Sequence, residues 1–287
     1  MNNKEFEQEP PSYDHAFQTN LDPQNQVYQF GKIHDASLDS YERGEMFIQA
    51  FESSLDSFPL KEAQEIKQNG FINCIQLNNP TTPLHSSYNT HPKQLQQQQT
   101  HVPFLIKDTY CIQFWPYMKG QEPDLDVTVH GTHPFLKLSD YADHHQSTLL
   151  LTQHYFEITL QRVFNKDIVL AIGLCTQPYP IFRMPGWNKF SIGYHSDDGH
   201  KFCDDATGGQ AFGPSWTKGD TVGCGYCPDT GNVFFTLNGV WIWQAFEGLG
   251  RHYYYPSIGA DGPAQVEVNF GQKPFQYPIE NWIGNYI

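Results

Sequence analysis

From residue 154 onward the apolar positions alternate or run in short blocks bounded by Gly, Pro, Asn and Asp, the pattern of short strands separated by tight turns. Tyr155, Phe156, Ile158, Leu160 and Val163 predict a strand over 154–163, and Asn165, Lys166 and Asp167 predict a turn. The near-continuous run IVLAIGL at 168–174 predicts a strand buried on both faces. The densest stretch is FRMPGWNKFSIGYHSDDGHKF at 182–202. It sets Arg183 and Trp187 around a Pro-Gly turn, continues as an alternating strand through Phe190, Ile192 and Tyr194, and ends in a turn where Gly199 accepts positive φ at little cost. Strands follow at 221–226, 233–237, 240–243, 255–259 and 265–270. Asn238-Gly239 is a hairpin signal, because both residues tolerate the positive φ of a type I′ turn.

Before residue 149 the pattern is mixed. Leu38, Tyr41, Ile48, Phe51 and Leu55 recur at spacings of three, four and seven and predict a helix, with Asp35 or Ser37 as N-cap and a stop near Ser57, ahead of Phe58-Pro59. A second short helix is expected over Lys61–Asn69, closed by Gly70. Both helices carry apolar stripes and are expected to cover a sheet. FINCIQL at 71–77 reads as a strand, 78–100 as a polar loop containing Gln96–Gln99, and 104–115 and 125–129 again as strand, while 136–145 is ambiguous. Residues 1–35 show no period and read as a disordered tail. The chain therefore divides into a tail at 1–35, an extension at 36–148, a sheet domain at 149–275 and a C-terminal tail at 276–287.

Composition favours sheet over helix: 15% of the 287 residues are aromatic, with 23 Gly and 20 Pro for the turns. The net charge of −14 argues against nucleic acid as a partner, since phosphate contacts need Lys and Arg. Residues 1–65 hold 13 acids against four bases, so −9 of the −14 lies in this leading segment. No run approaches the roughly 20 apolar residues of a membrane span. Met1 is followed by no apolar signal segment, so the chain is expected to be cytoplasmic and its six cysteines reduced.

Few motifs carry chemistry. Pro10-Pro11-Ser12-Tyr13 has the form of a WW-domain ligand, two prolines pre-setting the extended polyproline II conformation and a Tyr to fill an aromatic pocket. Composition alone would produce only about 0.08 such hits. Cys224 and Cys227 spell C-x-x-C, but at a strand end, where no helix N-terminus lowers a thiol pKa. Paired with His200 and Cys203 they would make four zinc ligands; a structural role is the other reading. His130, His133, His144, His145 and His154 lack ligand spacing and read as scattered surface residues. Asp197-Asp198 and Asp204-Asp205 lie in turns, and no nucleophile elbow, P-loop or dinucleotide fingerprint occurs, so neither an enzyme nor a cofactor is expected.

The ordered motifs AIGL, PGWNKFSIGYHSDDGHKF, FGPSW, GDTVGCGY, TGNVFFTLNG, YYPSIGADG and VEVNFGQKPF resemble a SPRY (B30.2-like) domain over residues 149–275. The resemblance implies a mainly β, antiparallel β-sandwich used for protein recognition. The wording at 176–180 and 182–186, with the segment 64–71, is most similar to fungal endosomal and vacuolar SPRY proteins that act as adaptors for HECT-type ubiquitin ligases. It implies a ligase bound through Pro10, Pro11 and Tyr13 and a peripheral endosomal or vacuolar location. Such adaptors usually carry a membrane span ahead of the SPRY region, and this sequence departs from them there. In a sandwich of this kind, binding residues belong on the end loops. The candidates are Tyr179, Arg183 and Trp187 from the first loop, Asp197, Asp198 and His200 from the second, and Trp216 and Asp261 from later ones. Arg183 and Asp198 are expected to be exposed, whereas Trp187, Trp216 and Trp241 serve equally well as core rings. The expected function is a ligase adaptor whose loops hold a target. The alternative is a scaffold subunit related to Ran-binding SPRY proteins.

Overall fold

The computed structural model describes residues 36, 38–78, 103–115, 125–141, 154–164 and 166–279. The motif Pro10–Tyr13, the N-cap candidates Asp35 and Ser37, His144, His145 and the run Gln96–Gln99 lie outside the described residues. The strands are β1 (Phe104–Asp108), β2 (Cys111–Phe114), β3 (Val127–His130), β4 (His154–Val163), β5 (Leu170–Cys175), β6 (Ser191–His195), β7 (His200–Cys203), β8 (Gln210–Ala211), β9 (Thr221–Cys227), β10 (Asn232–Leu237), β11 (Val240–Phe246), β12 (Tyr255–Ala260) and β13 (Ala264–Asn269). All pairings are antiparallel, in a seven-stranded sheet ordered β1-β2-β13-β4-β9-β10-β11 and a six-stranded sheet ordered β3-β12-β5-β6-β7-β8. The extension before residue 149 thus supplies three strands, β2 pairing with β13 and β3 with β12. β7 and β8, short and without clear alternation, had no signal in the sequence pattern.

Period-two alternation explains the core. Phe156, Ile158 and Leu160 of β4, Val222, Cys224 and Tyr226 of β9, and Val266 and Val268 of β13 form one apolar cluster with Ile172, Leu174, Ile192, Tyr194 and Ile258 of the six-stranded sheet. The outer faces are covered as well, and glycine makes that possible. On the six-stranded sheet, a Cβ at Gly193 would lie 2.0 Å from the Pro185 carbonyl oxygen, and one at Gly259 2.5 Å from Pro185 Cδ. The loop 179–188 therefore lies flat against these strands. This is why β6, expected to alternate, is buried at all five positions. On the seven-stranded sheet, Gly223 and Gly225 leave room for the rings of Tyr155 and Phe234, which stack 5.9 Å apart.

Helix α1 (Leu38–Phe51) ends four residues short of the expected Leu55, in a turn that Ser54 closes by donating to the Phe51 carbonyl. Asp56, at the end of that turn, accepts from His252 Nδ1 at 2.7 Å and from the Tyr253 amide at 2.6 Å, fixing the turn to the sandwich. Helix α2 (Leu60–Asn69) is closed as expected, the Gly70 amide donating to Ile66 at 2.8 Å. The expected strand at 71–77 is a helical turn instead, α3 (Phe71–Cys74), with only Leu77 bridging to Gly131. Phe71 turns back to pack on Phe135 and His154, which an extended chain leaving Gly70 would not allow. Part of the ambiguous 136–145 stretch is α4 (Leu138–Tyr141).

Two histidines assigned to the surface are interior. His154 is stacked on Phe135 at 4.6 Å and donates from Nε2 to Leu136, and His133 pairs through Nε2 with Glu65 at 2.9 Å. The six cysteines are free, with Cys224 and Cys227 buried in β9 and His200 and Cys203 in β7 of the other sheet. Among the described residues no three His, Cys, Asp or Glu side chains converge as a metal site would require.

The close fit of Phe234 over β9 is testable. A Cβ at Gly225 would lie 1.9 Å from Phe234 Cε1, so Gly225→Ala is expected to lower stability by about 1–3 kcal/mol, as overpacking a filled core does. Urea unfolding measures this, and an unchanged midpoint would contradict the packing described.

Candidate functional site

Residues of six loops line two adjacent concavities that share Asp197 and Val169. The smaller, about 110 Å³, is walled by Met184, Trp187 and His195 and rimmed by Asp126, Asp197 and Asp261. The larger, about 450 Å³, has Leu160, Val163, Ile168 and Trp216 as its apolar wall and Lys166, Asp167 and Asp197 at its edge. Their shared rim is acidic, as is the whole chain.

Local hydrogen bonding explains how the loops are held. Asp261 accepts the Val169 amide at 2.7 Å, and its own amide donates to the Val169 carbonyl, tying the β12–β13 turn to the loop before β5. Gly199 has φ of +73°, and a Cβ there would lie 2.0 Å from the Gly213 carbonyl, so only glycine lets the 197–199 turn close on the 213–217 loop. The Trp216 amide donates to Ser196 at 2.9 Å, seating its ring beneath the same turn. Asp198 accepts the His200 amide at 2.8 Å and pairs with His200 Nδ1 at 3.0 Å, while His200 also reaches Gly208. Asp198 and His200 therefore brace the turn and do not line either concavity.

The first loop departs most from expectation. Arg183, expected to be exposed, is 2% exposed. Its Nη1 donates to Ser40 Oγ at 3.0 Å and its Nη2 to the Trp187 carbonyl at 3.4 Å, with the guanidinium 5.3 Å from the Trp187 ring centre. Helix α1 lies over this loop: a Cβ at Gly44 would approach Asn188 Oδ1 to 2.7 Å, and Arg43 sits 4.1 Å above the Phe182 ring. Burial lowers the Arg183 pKa, with nearby Tyr179 and Asp126 opposing it. Tyr179 is likewise interior; its hydroxyl donates to Met184 O at 2.6 Å and accepts the Asn188 amide, and burial raises its pKa. Trp187 and Trp216 are buried rings that back the two concavities, whereas Trp241 is partly exposed. Of the eight loop candidates, the structure brings together Trp187, Asp197, Asp261 and Trp216, and turns Tyr179, Arg183, Asp198 and His200 to shaping the loops.

Asp126, Met184 and His195 line the smaller concavity and were not singled out by sequence reasoning. His195 sits at a strand end facing outward, a position the alternation of β6 would reveal only if the outer face were known to be covered. It stacks on Phe202 at 4.0 Å and donates from Nε2 to the Pro185 carbonyl at 2.9 Å. Burial holds His195 and His154 at about 4, below the usual 6.5. Both are neutral in the folded protein at pH 7.

Residues 153–273 match the family described as SPRY domain. Protein ssh4 of Sclerotinia sclerotiorum is 40% identical over 126 residues, 43% of this chain and 23% of that protein. Ran-binding protein 9 of Homo sapiens is 40% identical over 165 residues, 57% of this chain and 21% of that protein. A crystal structure of a human SPRY domain aligns with a TM-score of 0.46 at 22% identity, covering 60% of this chain and 98% of that one. The chain spans about a quarter of the length of the curated relatives it matches.

The buried histidines set a pH dependence. The unfolded chain takes up their protons below about 6.5 and the folded chain only below about 4, so their contribution is complete above 6.5 and lost as pH falls toward 4. Between pH 7 and 5 each costs about 2 kcal/mol of stability. Urea midpoints at the two pH values test this, and equal midpoints would show that the histidines are not buried neutral.

Proposed function

We propose, from the premise that residues 153–273 form a SPRY domain and hence a protein-interaction module, that this chain is an adaptor. Its loops hold a protein target and its N-terminal segment recruits a WW-domain HECT-type ubiquitin ligase. The observation that carries this reading is the position of Ala36. It packs in one buried cluster with Met184 and Trp187, two walls of the smaller concavity. The segment bearing Pro10, Pro11 and Tyr13 therefore joins the fold beside the target site. Tyr13 precedes Ala36 by 23 residues, and a chain of that length spans at most about 80 Å. That brings a ligase domain within reach of a bound target.

The acidic rim of Asp126, Asp197 and Asp261 in front of Trp187 and Met184 suits a target segment that presents a Lys or Arg beside an apolar side chain. The resemblance to fungal endosomal and vacuolar adaptors supports the ligase arm and a place of action at those membranes. Among the described residues no helix is long and apolar enough to cross a membrane. The reading of a scaffold subunit draws on the longer stretch of similarity to Ran-binding protein 9, 57% of this chain. It requires no ligase contact through Tyr13.

Affinity capture from cells with wild type, Tyr13→Ala and Asp197→Lys separates these readings. Tyr13→Ala is expected to lose the WW-domain ligase and keep the target, and Asp197→Lys to lose the target and keep the ligase. Retention of the ligase by Tyr13→Ala would overturn the adaptor reading, and retention of every target by Asp197→Lys would overturn the assignment of the site.

A further inference from the structure

The two concavities of the loop site share a wall but differ in character. The smaller carries three carboxylates, Asp126, Asp197 and Asp261, and no base. The larger offsets Asp167 and Asp197 with Lys166 and is walled by Leu160, Val163, Ile168 and Trp216. At about 450 Å³ the larger falls within the range of ligand sites, whereas the smaller, at about 110 Å³, admits little more than the end of one side chain.

The partition between them is rigid. Only Val169 and Asp197 are common to both concavities. Val169 has its amide and its carbonyl bonded to Asp261. Ser196, next to Asp197, donates its amide to Leu170 at 2.9 Å and accepts the Leu170 amide on its hydroxyl and the Trp216 amide on its carbonyl. The partition is thus one residue thick and is set before a ligand arrives, which limits the entropy lost on binding.

Three groups on these walls lack partners. Asp197 is exposed, and among the described residues its carboxylate has no hydrogen bond or ion pair. Trp187 Nε1 and Trp216 Nε1 are buried, one ring in the wall of each concavity, and neither N–H finds an acceptor. A buried donor left unpaired is costly, and a turn of the ring toward a bound carbonyl oxygen relieves that cost. The unpaired carboxylate calls for a cation, which the Trp187 ring also favours.

An extended peptide supplies this set of groups. Its alternate residues point to the same side about 7 Å apart, the spacing expected of two hollows divided by one residue, and its backbone carbonyls are free to accept. A helix has those carbonyls already bonded within itself. We infer, resting on the reading of these loops as the target site, that the target is an extended segment with a Lys or Arg and a bulky apolar residue two positions apart. The cation is held at Asp197 in the smaller concavity, and the apolar side chain fills the larger one against Trp216.

Fluorescence polarisation of dye-labelled peptides with the full chain tests this. The probe is a glycine peptide carrying Arg and Phe two positions apart, made in both orders. The reference peptides have Gly in place of Arg, Gly in place of Phe, or Arg and Phe adjacent. One order of the probe is expected to bind at least about tenfold more tightly than every reference. Ser215→Trp, which fills the larger concavity from an exposed position, is expected to abolish the advantage of Phe and retain that of Arg. Asp197→Asn is expected to do the reverse. Equal or undetectable binding of probe and references overturns the two-point motif, as does an advantage of Phe that survives Ser215→Trp. The adaptor reading is decided separately, by ligase capture with Tyr13→Ala, which no peptide result touches.

Discussion

The loop 179–188 can lie against the six-stranded sheet only because Gly193 and Gly259 present no side chain beneath Pro185 and Met184. Much of the candidate site follows from that close approach. It buries the outer face of β6, makes His195 an interior residue, and turns Met184 and Trp187 into the wall of a concavity. It also carries Arg183 inward, where the guanidinium finds Ser40 of α1 and the Trp187 carbonyl. Helix α1 is thereby attached to the loop, and the chain ahead of it starts at the edge of the site.

The opposite face shows the same logic with different chemistry. Gly223 and Gly225 let the rings of Tyr155 and Phe234 lie flat on the seven-stranded sheet, and Glu157 supplies acceptors for the amides of the strap, residues 275–279, that crosses them. A buried carboxylate is costly unless its oxygens are occupied. Here two backbone amides and a tyrosine hydroxyl occupy them, so the strap and the charge are each retained by the other. Each sheet is therefore covered on part of its outer face as well, which an antiparallel sheet does not require. The glycines mark where the cover passes.

Within the site, polar residues fall into two groups. Asp126, Asp197 and Asp261 line the smaller concavity, Asp261 while also tying the β12–β13 turn to Val169, whereas Asp198, His200, Tyr179 and Arg183 shape the loops without lining it. Asp197 and Asp198 are neighbours of the same type in one turn, and no property of the residues distinguishes them. What does is the register of the turn, set by Gly199 against Gly213.

The sequence by itself determined the strand-rich class, most strand positions from β4 to β13, the hairpin at Asn238-Gly239 and the family likeness. Those depend on period-two alternation and turn residues, which are local. It also drew the candidate residues from loops, and four of them, Trp187, Asp197, Trp216 and Asp261, line the two concavities. Tertiary structure alone decided which of them face a cavity, that Arg183 and two histidines are interior, and that 71–74 is helical. Each of these depends on contact with a segment distant in the chain: α1 on the loop at 183, Leu136 against His154, Phe135 against Phe71. Long charged side chains are usually exposed, and no local pattern announces the helix, 143 residues earlier, that covers Arg183.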